Sequence, residues 1–209
     1  MITMTTRTIT RLYDTYDEAT RAVQALEAAG VPHADISLVG SAHDRVTEPA
    51  GESTTGTDNG AATGAGTGAT LGTLVGGGAG LLAGIGALAI PGVGPIVAAG
   101  WLVAALSGAG VGAAAGGLLG SLAGAGVSEE DAHVYAEGVR RGGTMLTARV
   151  EEGQAARLEA VLASSGGHVD VAARRSEYQA EGWSRFDPAA PGYTTTEVQT
   201  ERKRRVRVS

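Results

Sequence analysis

The segment GTGATLGTLVGGGAGLLAG, residues 66–84, has glycine at every fourth position and no charged side chain. It is part of a longer run, from Asp58 to Glu129, with no Asp, Glu, Lys, Arg or His in between. Four residues turn a helix by about 400°, so each glycine row forms a bare ridge that a second helix can approach closely. We predict that helix packing and oligomerisation use two such rows: Gly64, Gly68, Gly72, Gly76, Gly80 and Gly84, then Gly108, Gly112, Gly116, Gly120 and Gly124.

The insert, residues 61–127, predicts a glycine-rich α-helical hairpin of transmembrane type. The eleven glycines of residues 60–90 would cost an isolated helix in water about 10 kcal/mol, whereas a bilayer enforces helix because backbone groups must pair internally. Residues 71–90 and 96–117 are each long enough to cross about 30 Å of hydrocarbon. Proline interrupts a helix, so the hairpin turn is predicted at Pro91, Gly92, Gly94 and Pro95. The alternative is a hairpin packed inside a protein assembly.

The flanking sequences predict two similar βαβ halves. Residues 7–41 read as strand, helix and strand, and Thr15 and Glu18 have the spacing of a capping box at the helix start. Residues 128–175 read as a short helix followed by the second half, whose last strand is expected at 168–174. Residues 42–60 are a flexible linker, and 176–209 are a C-terminal tail. The predicted fold is α+β, a ferredoxin-like four-stranded sheet with helices on one face, interrupted by the hairpin.

Composition and motifs give no sign of catalytic chemistry. The chain has 34 glycines among 209 residues, a net charge of −6 and no cysteine, which excludes disulfides and thiol nucleophiles. The four histidines lack metal-ligand spacing, and neither a phosphate-binding loop nor a nucleophile elbow is present. We therefore predict no catalytic residue, cofactor, metal or small-molecule substrate, and no enzyme activity.

The C-terminal tail contains two features that suggest contacts. Trp183 and Phe186 are expected to dock the tail on the domain or on lipid. Near the end of the chain, a basic run is a candidate contact for an anionic surface such as lipid headgroups, or else a solvated terminus. Its members are Arg202, Lys203, Arg204, Arg205 and Arg207. Nucleic acid is not an expected partner.

Residues 12–41, LYDTYDEATRAVQALEAAGVPHADISLVGS, resemble the N-terminal domain of the heat-induced general stress proteins of bacteria. The insert is similar to the glycine-zipper hairpins of bacterial envelope proteins, and residues 130–150 and 181–194 resemble the segments that follow such inserts in relatives. The resemblance implies a stress-associated role without a defined reaction, and it supplies no catalytic residue.

Together these features predict a non-enzymatic stress-response protein. The hairpin would anchor it in the inner (cytoplasmic) membrane, with membrane lipid as a partner, and would join copies into a homo-oligomer, while the α+β domain lies in the cytoplasm. One alternative is a cytoplasmic, self-assembling soluble or lipid-containing particle with the hairpins in a shared apolar interior. The other is a soluble ligand-sensing regulatory module, which rests on fold analogy alone.

Overall fold

A computed structural model of the protein describes residues 5–41, 86–90, 94–102 and 114–206. These residues form a mixed α+β fold. The strands are β1 (Thr6–Tyr13), β2 (Ile36–Ser41), β3 (Gly86–Ile90), β4 (Gly94–Ala99) and β5 (Thr144–Glu151). The helices are α1 (Tyr16–Ala28), α2 (Ala114–Gly124), α3 (Glu129–Arg140), α4 (Glu152–Ser165), α5 (Val171–Ala180) and α6 (Thr195–Val206).

The strands form one antiparallel sheet in the order β1-β5-β2-β4-β3. β5 is central to the first three strands, because it pairs with β1 along its full length and with β2 on its other side. β4 continues the sheet beyond β2, and β3 follows as the last described strand. The strands of residues 7–41 therefore form one sheet with β5, the first strand of the second predicted half.

The first core lies between one face of the sheet and helices α1 and α4. The predicted capping box at the start of α1 is confirmed, since the hydroxyl of Thr15 accepts the backbone N–H of Glu18, whose carboxylate accepts the N–H of Thr15. The helix residues in this core are Ala19, Ala22, Val23 and Leu26 of α1 with Ala155, Leu158 and Leu162 of α4. These apolar stripes explain why both helices lie on the same face.

A second core covers the opposite face of the sheet, so the prediction of helices on one face only is wrong. Leu12, Val39 and Met145 project from β1, β2 and β5 towards α2 and α3. Successive apolar side chains of these strands point to opposite faces of the sheet, so other elements must cover both faces to bury them. α2 and α3 provide this cover with residues such as Leu122 and Val139, both 0% exposed.

The prediction of an α-helical hairpin is wrong where the structure describes the insert between residues 86 and 99. Residues 86–90 and 94–99 form the antiparallel strands β3 and β4, and β4 pairs with β2 from Leu38↔Ala99 to Ser41↔Ile96. The sheet edge at β2 satisfies the backbone groups that we had expected a bilayer helix to satisfy. None of the helices in the described ranges has both the length and the apolar character needed to cross a membrane.

The predicted fourth strand at 168–174 is also wrong. It is reduced to one bridge between Tyr13 and His168 and one hydrogen bond from the N–H of Val169 to the carbonyl of Leu12. The side chain of Asp170 accepts the N–H of Ala173 at 2.9 Å, which caps a helix and starts α5. The described sheet is therefore extended beyond β2 by β4 and β3. No full strand among the described residues pairs with the outer side of β1.

Candidate functional site

Helix α2 buries one side and leaves two glycines of the predicted rows exposed on the other. Leu118 and Leu122 are 2% and 0% exposed and belong to the second core. Gly120 and Gly124 are exposed, and a Cβ added at either position would meet no described atom within 4 Å. Within the part of the chain that the structure describes, no atom covers this part of the row.

The other predicted packing and turn residues are distributed as follows. Gly116 also lies in α2, and Gly94 and Pro95 are the first residues of β4. The remaining positions lie outside the described residues: Gly64, Gly68, Gly72, Gly76, Gly80, Gly84, Gly108, Gly112, Pro91 and Gly92.

The basic run near the C-terminus lies in α6, and several of its side chains contact the domain. Arg202 donates to the carbonyl of Gly142 at 2.8 Å, and Arg204 pairs with Glu181. Arg205 forms an ion pair with Asp14, described below, Lys203 is exposed, and Arg207 lies outside the described residues. In this structure the basic run docks the C-terminal segment, which we define as residues 171–206.

Arg141 is the centre of a buried charged cluster between α3 and the C-terminal segment. It is 5% exposed, and its Nε–H donates to Oε1 of Glu137 at 2.6 Å. It also pairs with Glu181, and its guanidinium carbon lies 4.1 Å from the ring centre of Tyr178. Burial favours the neutral form, but the hydrogen bonds to Glu137 and Glu181 raise the pKa of Arg141 above its ordinary value. The guanidinium therefore stays charged and paired.

Asp14, directly after β1, is the centre of a second charged cluster. Arg174 of α5 donates one hydrogen bond to each carboxylate oxygen, both at 2.9 Å, and Arg205 of α6 adds a third at 2.6 Å. Burial alone would raise the pKa of Asp14, but the hydrogen bond from Arg174 and the charges of Arg205 and Arg174 hold it below its ordinary value. One carboxylate thus joins β1 to both helices of the C-terminal segment.

Apolar contacts complete the docking of the C-terminal segment. Phe186 is 2% exposed in the second core, so the expectation that it docks on the domain matches its position. Val198 of α6 is 1% exposed and packs over Gly142, whose φ of +92° and lack of a Cβ allow this close approach. Trp183 stacks edge-on against Tyr178 with ring centres 5.6 Å apart.

The chemistry of these clusters favours docking over proton transfer. A general acid or base works best with a pKa near the operating pH. Burial alone would raise the pKa of Glu181, but hydrogen bonds and charges from Arg141 and Arg204 hold it below its ordinary value. The pKa of Asp14 is likewise lowered by its pairs with Arg174 and Arg205. These clusters are not among the predictions from the sequence. The two adjacent arginines of RRGG, residues 140–143, and the mixture of aromatic and charged residues in the tail are the signals that could have indicated them.

A cleft of about 470 Å³ lies between the end of α1 and the start of α4. Val31, Val150 and Leu158 form an apolar part of its lining, and Asp35 and Arg149 form a charged part. Nη2 of Arg149 donates to Asp35 at 3.0 Å. The volume is within the range of small-molecule sites.

Comparison with known protein families gives a match in the N-terminal part of the chain. Residues 8–81 match the heat-induced stress protein YflT domain. The match contains β1 from Thr8 onward, α1 and β2, and it continues into the glycine-rich insert. It supports the general stress protein family that the residues around Asp14 and Glu18 had suggested. No curated protein and no solved structure matches the chain.

Proposed function

We propose that the chain is a non-enzymatic stress-response protein that acts by associating with further copies of itself through its glycine rows. The observation that carries this proposal is the open surface of α2 at Gly120 and Gly124. A helix that is buried on one side and has glycines exposed on the other can pack against a second helix, since missing side chains let two backbones approach closely. The match to a stress protein domain supplies the cellular context.

Two further observations support a non-enzymatic protein whose assembly does not use a membrane hairpin. The ion pairs of Asp14 and Glu181 lower their pKa values and move them away from acid–base work at neutral pH. β3 and β4 place residues 86–90 and 94–99 in the sheet, so these residues are not available for two helices across a bilayer. We therefore favour an assembly in which the glycine-rich segments pack against one another.

Analytical ultracentrifugation of the purified full chain in detergent-free buffer tests the proposal. We expect wild-type protein to self-associate at micromolar concentration, and the double variant Gly120→Leu, Gly124→Leu to associate about tenfold more weakly, because leucine side chains block close backbone contact. Gly153→Leu is the matched control, since Gly153 of α4 is another exposed helical glycine whose Cβ would meet no described atom within 4 Å. A monomeric wild-type protein, or a double variant that assembles like wild type, would contradict the proposal.

Flotation with vesicles of anionic phospholipid adds a second arm to this experiment. Under our proposal the oligomer forms without lipid, and vesicles leave the effect of the leucine variants unchanged. Assembly that requires vesicles would favour the membrane-anchored alternative.

The cleft beside Arg149 favours a second candidate function, that of a ligand-sensing regulatory module. Its apolar lining from Val31 and Leu158 and its charged Asp35–Arg149 pair suit a small amphipathic molecule. A thermal-shift screen with small carboxylic acids and amines tests this function, with Arg149→Ala as the variant expected to lose any shift. A screen without any shift dependent on Arg149 would count against it.

A further inference from the structure

β3 is an edge of the sheet. It pairs with β4 over Gly86–Ile90, and no strand within the described ranges runs along its other side. An edge strand presents a row of unpaired backbone N–H and C=O groups, which is a template for another β-strand. The partner suited to this surface is therefore a strand of extended backbone.

The two edges of the sheet differ in how they are protected. β1, at the opposite edge, contains Arg7 and Arg11, and its end is bridged by His168. Charged residues and short covering segments are devices by which proteins prevent edge-to-edge pairing. β3 has the sequence GALAI, without charge or proline, so its composition provides no such protection.

We propose that β3 pairs antiparallel with β3 of a second copy and joins two five-stranded sheets into one. The sequence of β3 is complementary to itself about its central residue, because Leu88 then lies opposite Leu88, Ala87 opposite Ala89, and Gly86 opposite Ile90. This register places the smallest residue opposite a β-branched one and opposes no like charges, which would be destabilising. β1 paired with itself would bring together positive charges from Arg7 and Arg11. The inference rests on the proposed self-association and names a contact that the glycine rows do not provide.

The absence of cysteine from the chain allows a direct test by cross-linking. Opposite residues in an antiparallel pair have Cα atoms about 4.5–5.5 Å apart, within the range that a disulfide bridges. The single-cysteine variant Leu88→Cys, in the full chain under mild oxidation, should form a disulfide-linked dimer. The matched variant Thr8→Cys, on the protected edge β1, should cross-link at least about tenfold more slowly, because contact there occurs only in random encounters.

A second variant tests the pairing without a new covalent bond. Ala87→Lys with Ala89→Lys places lysines opposite each other twice in the proposed register, and we expect dimerisation to weaken about tenfold by ultracentrifugation. Thr8→Lys on β1 is the control, and we expect it to leave dimerisation unchanged. Circular dichroism is the control for folding, and we expect each variant to keep the wild-type spectrum.

The outcomes separate this inference from the proposed function. If wild-type protein assembles while Leu88→Cys cross-links no faster than Thr8→Cys, β3 pairing is wrong and self-association survives. Assembly that is unchanged by the two lysines on β3 overturns the pairing in the same way. If wild-type protein is monomeric, both the proposed function and the β3 pairing are wrong.

Discussion

The docking of the C-terminal segment on Gly142 can be tested by one added methyl group. A Cβ at Gly142 would overlap Cγ1 of Val198 and lie 3.2 Å from Cβ and Cγ2 of the same side chain. Gly142 also has a φ of +92°, which is strained for any other residue. We predict that Gly142→Ala releases α6 from the domain and lowers the stability of the protein.

The two physical effects at Gly142 set the expected magnitude. A left-handed backbone costs a residue with a Cβ about 1–2 kcal/mol, and overfilling a packed site costs about 1–3 kcal/mol. The Gly142→Ala variant should therefore lose about 2–5 kcal/mol of unfolding free energy. Urea denaturation followed by circular dichroism measures this loss. Trypsin cleavage after Lys203, which is exposed in α6, measures release of the segment.

Two further variants separate backbone strain from steric overlap. Gly30 has a φ of +94°, and its Cβ would meet no described atom within 4 Å, so Gly30→Ala isolates the backbone cost of about 1–2 kcal/mol. Val198→Ala removes the overlapping methyl groups and alone should cost about 1.5 kcal/mol. Combined with Gly142→Ala, it should relieve the overlap, so that the double variant is less destabilised than the sum of the two by about 1–3 kcal/mol.

Equal destabilisation by Gly142→Ala and Gly30→Ala would refute the predicted overlap, since Val198 would then not lie against Gly142. Strict additivity of Gly142→Ala and Val198→Ala would lead to the same conclusion. Unchanged trypsin cleavage after Lys203 in a destabilised Gly142→Ala variant would show that α6 does not depend on this contact.

Three other predictions follow from the buried clusters and from the end of β4. Glu137→Ala should cost about 3–5 kcal/mol by urea denaturation, because it leaves the buried charge of Arg141 without its fully buried partner; a loss below about 1 kcal/mol would show that the pair is solvated. Burial alone would raise the pKa of Asp14, but the guanidinium groups of Arg174 and Arg205 hold it below its ordinary value of 3.8. The ion pairs of Asp14 therefore contribute fully to folding stability above pH 3.8, and this contribution is lost as pH falls through the lowered pKa. Acid unfolding should accordingly be shallower in Asp14→Asn than in wild type, and equal slopes would refute this. Gly100→Ala should cost at least about 2 kcal/mol in urea denaturation, because φ is +96° and the Cβ would overlap the rigid carbonyl of Ile36; a neutral result would mean that the end of β4 does not lie against β2.

Local signals in the sequence were sufficient to predict much of the domain. The capping box of Thr15 and Glu18 and the apolar stripe that follows it predicted α1, and Ser128 marked the start of α3, where it caps Asp131. The alternation of polar and apolar residues in 7–14 predicted β1, and residues 144–150 were predicted as the strand that is β5. Each of these signals depends on neighbours a few residues apart in the chain, so composition and spacing are enough.

The predicted glycine rows end at Gly84 and resume at Gly108, so they do not determine the structure of residues 86–90 and 94–99. The helical prediction is wrong there because a short uncharged apolar segment suits a buried strand as well as a helix. The decision between the two depends on whether a sheet edge is free. In the structure, the edge at β2 binds β4 through Val39↔Ala98 and its neighbours, and no local pattern in residues 86–99 indicates that edge.

The charged clusters were missed because they join distant parts of the chain. Asp14 and Arg174 are 160 positions apart, and Arg141 and Glu181 are 40 apart. Each residue alone has an ordinary explanation as a helix-end or surface charge. Once a domain brings them together, burial of Arg141 and Arg174 makes their partners necessary.

Hydrogen exchange of the backbone amides in residues 94–99 tests the central claim most directly, which is that part of the uncharged insert belongs to the sheet of the domain. In detergent-free buffer, we predict slow exchange for the amides of β4 that bond to neighbouring strands, similar to that of β2. Rapid exchange of these amides in buffer, with protection only after lipid bilayers are added, would contradict the account.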